Sequence, residues 1–470
     1  MTKQSDAIEN DIDIACLKSA GLDAAAVDAW VRARPGEVSG FARDAKPFSA
    51  FFRTSKELLA RLPAKARRNE AEIAAAALIT QEARHARTRF LSAHGAELYD
   101  AVTDLRSRFL NLTELLADAA EAVPGLVPTA EELATDQSLP LAEKSGVEID
   151  QGLLLSAVLA SKTQGQHLCH AMLLPRPEAL DLVPKLARDG MIDLGGAKIE
   201  RQGQASIVTM QNPRHLNAED DTTLGAMATC VDLALLDPAT SVGVLRGGVV
   251  EHPKFRGRRI FGAGINLTHL YQGRIPYLWY LERDLGYVHK IYRGLASPEA
   301  LPDDVHGETR EKPFIAAVER FAIGGHCQLL LVSDYILAES DAYLTLPARK
   351  EGIIPGFANL RMPRFVGDRI TRQAIQYERR IDCAKPDGRM ICDEIVETEP
   401  MDDAIARVVE GLSNSGVVSA AANRRAIRIG QETLDMFRSY AAVYAREQAG
   451  CHFSPALIRN LERFWNERSR

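Results

Sequence analysis

The chain has 470 residues, 46% hydrophobic and 26% charged, with a formal net charge of -6. This composition is typical of a soluble globular protein of one to three domains, and its mild acidity argues against nucleic acid or an anionic membrane as the main partner. The acidic start MTKQSDAIENDIDIACLKSAG lacks the pattern of a signal peptide, and no apolar run is long enough to cross a bilayer. Seven scattered cysteines without CxxC spacing predict a reduced, cytoplasmic protein with no disulfide framework and no zinc module.

The first part of the chain has a helical pattern. Over residues 66–123 apolar side chains recur every three or four positions among Ala, Leu, Glu and Arg, which predicts long amphipathic helices. A proline-punctuated stretch follows at 124–146, and a further helix is predicted from about Ile149 to Leu173. Since no alternating strand pattern occurs here, we predict an all-helical N-terminal domain over 1–195.

The pattern changes near Gly195. Two short strands are predicted in AKIERQGQASIVTMQNP, a helix in TLGAMATCVDLALLD, a strand in SVGVLRGG, a helix in YLWYLERDLGYVHKIYRGL, and a strand with a glycine turn in PFIAAVERFAIGG. This alternation predicts an α/β core over 196–400, with active groups at strand-to-helix turns. Residues 401–470 are predicted to be helical and to mediate oligomerisation, with packing on their own domain as the alternative.

Two glycine-containing turns are candidates for chemistry. RRIFGAGINL (258–267) and AIGGHCQ (322–328) are each predicted to run from a strand into a helix start. Two backbone N–H groups converging at such turns form an oxyanion hole, which stabilises an enolate or tetrahedral oxyanion derived from a thioester carbonyl. A single turn of this kind is more often a packing feature, but the two together favour the oxyanion hole.

The segments NPRHLNAED, FGAGINL, KPFIAAVERFAIGGHCQLLLVSDYILA and AYLTLPARKEGIIPGFANLRMPRFVGDR resemble the crotonase (enoyl-CoA hydratase/isomerase) superfamily over roughly residues 197–400. The resemblance implies a crotonase-like spiral ββα core, an acyl-CoA substrate, and a trimer or hexamer built with the C-terminal helices. It assigns the oxyanion N–H groups to Ile265 and Gly325, and places Arg214–Ala218 along the CoA channel. Asn266 stands where the family carries an acid.

Two departures from this family concern its acid/base carboxylates. Gln328 stands at the first glutamate position of the hydratases and Ala348 at the second. Neither side chain can exchange a proton at neutral pH, so ordinary hydration of an enoyl-CoA is not expected. An enolate-stabilising pocket with a non-titrating polar wall remains.

The helical N-terminal part, Gln328 and the segments EHPKFRGRRIFGAGINL and YLWYLERDLGYVHKIYRG resemble a subgroup of the superfamily over essentially the whole chain. These are the cofactor-independent dioxygenases that act on (3,5-dihydroxyphenyl)acetyl-CoA in vancomycin-type antibiotic biosynthesis. The resemblance implies that O2, with neither metal nor organic cofactor, converts the thioester to 3,5-dihydroxyphenylglyoxylate and CoA. An aryl-acetyl-CoA hydrolase or isomerase is the alternative. A silent or RNA-binding homologue is disfavoured by the net charge and the retained turns.

Further candidates follow from the same resemblance. Glu219 is placed near the substrate ring, although it could instead be an acid at a helix N-terminus. Arg283 is a candidate to bind a ring hydroxyl or to organise Glu219 and Gln328, with an exposed helical charge as the alternative. Ile353 and Ile354 are candidates for the wall of an O2 pocket, or are ordinary core residues.

A loop before the first turn carries candidates for CoA binding. His252 could meet the thioester or the CoA arm, although an ordinary surface histidine is the alternative. Lys254, Arg256, Arg258 and Arg259 form a basic cluster suited to the CoA phosphates, with a solvated charge run as the alternative for at least two of them.

No metal site is predicted. His167 and His170 lie three residues apart on a predicted helix, but no carboxylate accompanies them and the sequence contains no 2-His-1-carboxylate pattern. Cys327 is interpreted as a core thiol.

Overall fold

A computed structural model describes residues 13–397, 400–414 and 417–464 of the protein. The first residues of the acidic N-terminal segment, 1–12, lie outside this description. The N-terminal part is helical, as predicted, and its α-helices are α1 (Ile14–Ser19), α2 (Ala24–Arg32), α3 (Phe41–Leu59), α4 (Glu70–Val102), α5 (Leu112–Ala122), α6 (Ala130–Gln137), α7 (Glu148–Ala160), α8 (Lys162–Ala171) and α9 (Pro177–Asp189).

Local sequence signals determine where several of these helices begin. In α4 the side chain of Asn69 accepts from the backbone N–H of Glu72, whose carboxylate accepts in turn from the N–H of Asn69. Helices α5 and α6 begin with the same reciprocal arrangement. The prediction of one helix from Ile149 to Leu173 is wrong, because Ser161 has an extended backbone and separates α7 from α8.

The core contains a seven-stranded mixed sheet. Its strands, in spatial order, are β1 (Met191–Asp193), β2 (Ala197–Gln202), β3 (Ala205–Met210), β4 (Val242–Gly247), β7 (Phe314–Val318), β9 (Tyr335–Glu339) and β12 (Glu394–Val396). The β1–β2 and β2–β3 pairs are antiparallel, and the pairs from β3 to β12 are parallel. Strand β1 lies in the part predicted to lack strands; three residues are too few to give a detectable alternation.

Smaller sheets complete the core. A three-stranded sheet contains β8 (Phe321–Ile323), β10 (Tyr343–Thr345) and β11 (Ile381–Asp382), and β5 (Leu295–Ala296) pairs with β6 (Thr309–Arg310). Within the large sheet, side chains alternate between two apolar layers. Ile207 and Val244 pack in one cluster with residues of the C-terminal helix α18 (Met401–Ser413). Val208 and Leu245 pack in the other cluster with residues of α10 (Leu224–Leu236). The predicted α/β core between N-terminal and C-terminal helical regions is confirmed.

The remaining α-helices are α11 (Leu267–Tyr271), α12 (Leu278–Leu285), α13 (Tyr287–Arg293), α14 (Gly325–Leu330), α15 (Ala348–Glu351), α16 (Ala358–Arg361), α17 (Pro363–Tyr377), α19 (Val417–Gln431), α20 (Leu434–His452) and α21 (Pro455–Phe464). The helix predicted from Tyr277 to Leu295 is broken at Gly286 into α12 and α13. A Cβ atom at Gly286 would lie 2.2 Å from the carbonyl oxygen of Glu282, so the tight end of α12 requires glycine.

The C-terminal helices pack against the rest of the chain. Helix α20 lies on α7, where a Cβ atom on Gly152 would come within 2.6 Å of the Ala449 Cβ. The Tyr277 hydroxyl donates to the carbonyl oxygen of Ala445 at 2.7 Å. One apolar cluster therefore joins the N-terminal helices to α12, α20 and α21. In the part of the chain that the structure describes, no helix combines the length and apolar character needed to cross a bilayer.

Candidate active site

The two predicted glycine turns lie side by side. Gly262 pairs with Ala322 in a parallel bridge, and a Cβ atom on Gly264 would lie 2.9 Å from the carbonyl oxygen of Ile323. Gly264 and Gly324 have φ angles of 78° and 55°, a region that favours glycine. The second turn follows strand β8 and enters α14, as predicted. The strand predicted at RRIF is wrong, because residues 258–262 pair only through isolated bridges.

Within the described residues, the backbone N–H groups of Ile265 and Gly325 donate to no protein acceptor. Neighbouring N–H groups are engaged: that of Gly264 with His326 Nδ1 at 3.0 Å, that of Asn266 with the Glu219 carbonyl oxygen at 2.8 Å, and that of Gly324 with the Thr345 carbonyl oxygen at 2.9 Å. Two donors at adjoining turns that lack protein partners are the arrangement expected of an oxyanion hole.

Arg283 forms hydrogen bonds to several groups that line the site. This residue of α12 is 2% exposed, so the exposed helical charge considered for it is wrong. Its guanidinium donates to Glu219 Oε1 at 2.9 Å, to Gln328 Oε1 at 2.9 Å, to Asp284 Oδ1 at 2.7 Å and to the carbonyl oxygen of Gly325 at 2.7 Å. Burial disfavours its charge, but the surrounding carboxylates raise the pKa of Arg283 well above its ordinary value.

Glu219 is a buried carboxylate beside the second turn. It pairs with Ile265 in an isolated parallel bridge, and helix α10 begins only at Leu224, so Glu219 lies outside that helix. Its Oε1 accepts from Arg283 and from the Tyr287 hydroxyl. Burial alone would raise the pKa of Glu219, but the charge of Arg283 and these hydrogen bonds hold the pKa below its ordinary value. Its other oxygen, Oε2, is buried without a hydrogen-bond partner among the described residues.

Gln328 lies on α14, one turn after Gly325, and is 8% exposed. Its Oε1 accepts from Arg283, and among the described residues its Nε2 has no protein acceptor. Because a guanidinium can only donate, the contact assigns the oxygen to the Arg283 side and leaves the amide N–H groups for the cavity.

His326 supports the first turn. Its Nδ1 accepts the N–H of Gly264, which places the proton of the neutral ring on Nε2. Burial lowers the pKa of His326 to about 4, with Arg283 acting in the same direction and Glu219 against it. His326 is therefore neutral at pH 7, and a Cβ atom on Gly262 would overlap its ring.

A cavity with about 450 Å³ of empty space, part of it open to solvent, lies above these groups. It is lined by residues from six segments of the chain: Glu219, Ile265, Trp279, Tyr280, Arg283, Asp284, Gly324, Gly325, Gln328, Leu346, Pro347, Ala348, Glu351, Ile353, Ile354, Pro355, Gly356 and Tyr444. Seven candidates from the sequence, Glu219, Ile265, Arg283, Gly325, Gln328, Ile353 and Ile354, are thus brought together.

Sequence reasoning missed several lining residues. Tyr444 comes from α20, and its hydroxyl bonds to the carboxyl group of Asp284. Glu351 lies one turn after Ala348 on α15, and its side chain receives no hydrogen bond from the described residues. Burial, reinforced by the negative charge of Glu378, raises the pKa of Glu351 to about 8. The family motif points to position 348, which is Ala348 here, and gives no signal for the carboxyl group of Glu351 three residues later.

The predicted CoA-binding residues lie outside this cavity. Arg214, His252, Lys254, Arg256 and Arg258 belong to exposed or partly exposed segments, and Ala218 is buried beside Glu219. The loop that carries most of them is anchored near the turns, because Phe255 packs with Phe321 and Ile260 in a small apolar cluster. This cluster also contacts Ala263 and Ile323, which belong to the two turns.

Potential metal ligands elsewhere have protein partners. Nδ1 of His167 bonds to the Tyr99 hydroxyl at 2.8 Å, and Nε2 of His170 bonds to the carbonyl oxygen of Ser297 at 3.0 Å. Asp220, Asp221 and His269 form a cluster, and the Arg274 guanidinium contacts both Asp221 and His269 at 3.0 Å. A cation from the protein itself thus already pairs with one of the two carboxylates of this cluster.

Comparison with known proteins agrees with this geometry. The enoyl-CoA hydratase/isomerase family model matches residues 200–436, half of the chain. The chain belongs to the enoyl-CoA hydratase/isomerase family. It is 46% identical over 394 residues to a (3,5-dihydroxyphenyl)acetyl-CoA 1,2-dioxygenase from Amycolatopsis orientalis, covering 84% of this chain and 89% of that protein. It is also 25% identical over 244 residues to a short-chain-enoyl-CoA hydratase from Clostridium acetobutylicum, covering 51% of this chain and 84% of the hydratase.

Among solved structures, an enoyl-CoA hydratase from Mycobacterium avium subsp. paratuberculosis is similar to this chain. The identity is 19%, the coverage is 57% of this chain and 99% of that one, and the TM-score is 0.47. The family match begins within β2 and covers strands β3 to β12, both glycine turns and helices α10 to α19. The two glycine turns that line the cavity therefore lie within the matched region.

Proposed function

We propose that the protein is a metal- and cofactor-independent dioxygenase that converts (3,5-dihydroxyphenyl)acetyl-CoA and O2 to 3,5-dihydroxyphenylglyoxylate and CoA. The Amycolatopsis relative, whose name gives this substrate, supports the proposal, since its similarity extends beyond the family domain into the N-terminal helices. A reaction of this kind would provide the carbon skeleton of the dihydroxyphenylglycine unit of glycopeptide antibiotics.

One observation carries the proposal: two backbone donors that have no partner among the described residues face a cavity in which Gln328 replaces the carboxylate of a hydratase. The N–H groups of Ile265 and Gly325 bind the thioester oxygen as an α-proton leaves, and so stabilise the enolate. The enolate passes one electron to O2, and the two radicals combine at the α-carbon to form a peroxide. The peroxide attacks the thioester carbonyl, CoA leaves, and O–O cleavage gives the α-keto acid.

Arg283 and its partners prepare the cavity for an anionic intermediate. Arg283 supplies positive charge behind Gln328 and Gly325 and is held in place by the two acceptors Glu219 and Asp284. Gln328 contributes N–H groups without adding negative charge next to the enolate. Glu219 accepts a phenolic hydrogen bond from the substrate through Oε2, which lacks a partner among the described residues.

An apolar wall suits a small apolar oxidant. Leu346, Ala348, Ile353 and Ile354 line the cavity beside Gln328. Ala348 stands where a hydratase carries its second carboxylate, so this position of the wall is apolar. We propose that O2 binds against this wall.

The basic loop is proposed to bind CoA. Lys254, Arg256 and Arg258 are exposed on a loop whose apolar anchor, Phe255, contacts β8 just before the second turn. Guanidinium and ammonium groups there can pair with the phosphates of a CoA whose thioester lies in the cavity. Arg214 and His252 lie on the adjoining surface and are assigned to the same role.

We also propose a homo-oligomer, a trimer or hexamer, in the cytoplasm. Apolar side chains on α19 and α20 are exposed, with Ile427 at 55%, Met436 at 47% and Val443 at 56%. Subunit contact through these helices would cover them. The cysteines within the described residues are free thiols, as expected in a reducing compartment.

An aryl-acetyl-CoA hydrolase or isomerase is a second candidate, favoured by the Glu351 carboxyl group in the cavity. Dioxygen uptake separates the two. The purified protein is incubated with (3,5-dihydroxyphenyl)acetyl-CoA under air and under argon, and O2, free CoA and acid products are measured. The dioxygenase consumes one O2 per CoA released and forms the keto acid under air alone. CoA release without O2 uptake would support a hydrolase and refute the proposal.

A further inference from the structure

Three carboxyl groups line the cavity, and two of them are engaged. Glu219 accepts from Arg283 and Tyr287, and Asp284 accepts from Arg283 and Tyr444. The charge of Arg283 holds the pKa of Glu219 below its ordinary value, whereas burial raises the pKa of Asp284, whose carboxyl group is engaged by both of its donors. Glu351, in contrast, receives no hydrogen bond from the described residues, so its lone pairs are available to a ligand in the cavity.

Other groups that line the cavity are poor bases. Burial raises the pKa of Tyr280 and of Tyr444 far above the ordinary value, so both hydroxyl groups keep their protons. Gln328 does not titrate, and His326 directs its acceptor nitrogen to Gly264 rather than into the cavity. The chemistry needs a base, because both α-protons of an aryl-acetyl thioester are lost when an α-keto acid forms.

We propose that Glu351 is the catalytic residue that removes the α-protons of the bound aryl-acetyl thioester. The proposal rests on the proposed function. The carboxylate takes the first α-proton as the C–H electron pair moves to the thioester oxygen, which leaves an enolate beside a neutral acid. This arrangement avoids the negative charge that a fixed carboxylate at position 328 would introduce.

The same group can act again later in the reaction. When the peroxide attacks the thioester carbonyl, the C–S bond breaks and the thiolate takes the proton from Glu351 to give CoA–SH. The regenerated carboxylate then removes the second α-proton. That C–H pair forms the ketone π bond while the O–O bond breaks and its pair goes to the carboxylate oxygen. The sum is one thioester and one O2 giving one α-keto acid and one CoA, with O2 as the oxidant.

The surroundings of Glu351 set its basicity near the working pH. The titratable and charged groups that share its cavity or pack behind it are Glu219, Tyr280, Arg283, Asp284, Lys350, Glu378, Tyr444 and His452. Burial is the largest influence and raises the pKa, Glu378 acts in the same direction, and Lys350 opposes them. A base whose pKa lies near the operating pH is the most effective at proton transfer.

Deuterium exchange without O2 isolates this step. Wild type and Glu351→Gln are incubated under argon in D2O with (3,5-dihydroxyphenyl)acetyl-CoA, and α-deuterium is followed by mass spectrometry while calorimetry gives the Kd. We expect Glu351→Gln to exchange about 100-fold more slowly than wild type, with Kd changed less than about threefold. Glu351→Asp should recover part of the rate. Glu121→Gln, which changes an exposed glutamate of α5 that does not line the cavity, should stay within about threefold of wild type.

Wild type also provides a test that needs no variant. Its exchange rate should rise about tenfold per pH unit below pH 8 and level off above it, since only the carboxylate form acts. Exchange by Glu351→Gln at the wild-type rate, or a flat pH profile of wild type, would overturn the assignment of Glu351 even if the enzyme consumes O2. A wild-type protein that neither binds the thioester nor consumes O2 would instead refute the proposed function.

Discussion

Arg283 Nη1 donates to Gln328 Oε1 at 2.9 Å, and this contact directs the amide N–H groups of Gln328 toward the cavity. The same guanidinium reaches the carbonyl oxygen of Gly325, whose backbone N–H is a proposed oxyanion donor. Gln328, which stands in place of the hydratase glutamate, and the turn that carries the proposed oxyanion donor therefore share one hydrogen-bond donor, Arg283.

The first prediction concerns the charge at position 328. Gln328→Glu should lower O2-dependent turnover at least about tenfold, about 1.4 kcal/mol in the barrier, because a carboxylate raises the energy of the enolate and attracts water. Hydrolysis to the plain aryl-acetic acid should persist or increase. The ratio of keto acid to aryl-acetic acid under air measures the effect. Gln272→Glu, the same change at an exposed position, should leave the ratio as in wild type, and an unchanged ratio in Gln328→Glu would make Gln328 a packing residue.

The second prediction concerns the oxyanion donor at Gly325. A Cβ atom there would lie 2.7 Å from Glu219 Oε2, so any substitution disturbs packing. Gly325→Ala keeps the N–H and Gly325→Pro removes it, so their difference isolates the donor. We expect the proline variant to turn over on the order of a hundredfold more slowly than the alanine variant. Side-chain changes such as Ile265→Val should act mildly. Equal turnover by folded alanine and proline variants would exclude this donor.

A third prediction concerns stability. Arg283→Met leaves the buried Glu219 carboxylate without its cation and should lower the free energy of unfolding by about 3–5 kcal/mol. The double variant Glu219→Gln with Arg283→Met should be less destabilised than Arg283→Met alone, because one of the two buried carboxylates that had paired with Arg283 is then neutral. Urea denaturation gives the free energy of unfolding of the single and the double variant. Arg446→Met, which removes an exposed partner of Glu447, should change the free energy by less than about 1 kcal/mol.

The fourth prediction is a pH dependence of stability. His326 has a pKa of about 4 in the fold against an ordinary value of 6.5, so the unfolded chain binds more protons between these pH values. Stability should therefore fall as the pH falls from about 7 to 4, by up to about 3 kcal/mol from this residue. His326→Gln, which can keep an acceptor toward the Gly264 N–H, should flatten this part of the profile. A variant with the wild-type slope would show that other groups cause it.

A fifth prediction concerns metals. Activity should survive exhaustive chelation, since the proposed chemistry uses the substrate enolate itself to reduce O2. The measurement is O2 uptake before and after dialysis against a chelator, with metal content determined in parallel. Loss of activity that returns with stoichiometric iron or copper would contradict the prediction.

The two glycine turns could be predicted from the sequence because a backbone with positive φ favours glycine, as at Gly264 and Gly324. Gln328 was found because it occupies a known position in a known motif. Arg283 and Glu219 could be named, but their burial and mutual contact depend on how α12 packs, which periodicity does not reveal.

Other contributions had no local signal. Tyr287 and His326 look like ordinary core residues in the sequence, and their roles come from single hydrogen bonds across the fold. Tyr444 lies far from the motifs along the chain. Glu351 lies in a charged stretch of sequence that is typical of an exposed surface. In the fold it lies at the end of the short helix α15 and lines the cavity.

The position of α20 has a consequence for synthesis of the protein. Tyr444 follows every other residue that lines the cavity along the chain, and its helix packs on α7 through close Gly–Ala contacts. A ribosome-bound chain therefore carries both oxyanion turns long before the wall that encloses them has emerged. In the incomplete chain this pocket would be open to water. The water-excluding pocket that the proposed oxygen chemistry needs forms only once the C-terminal helices pack against the rest of the chain.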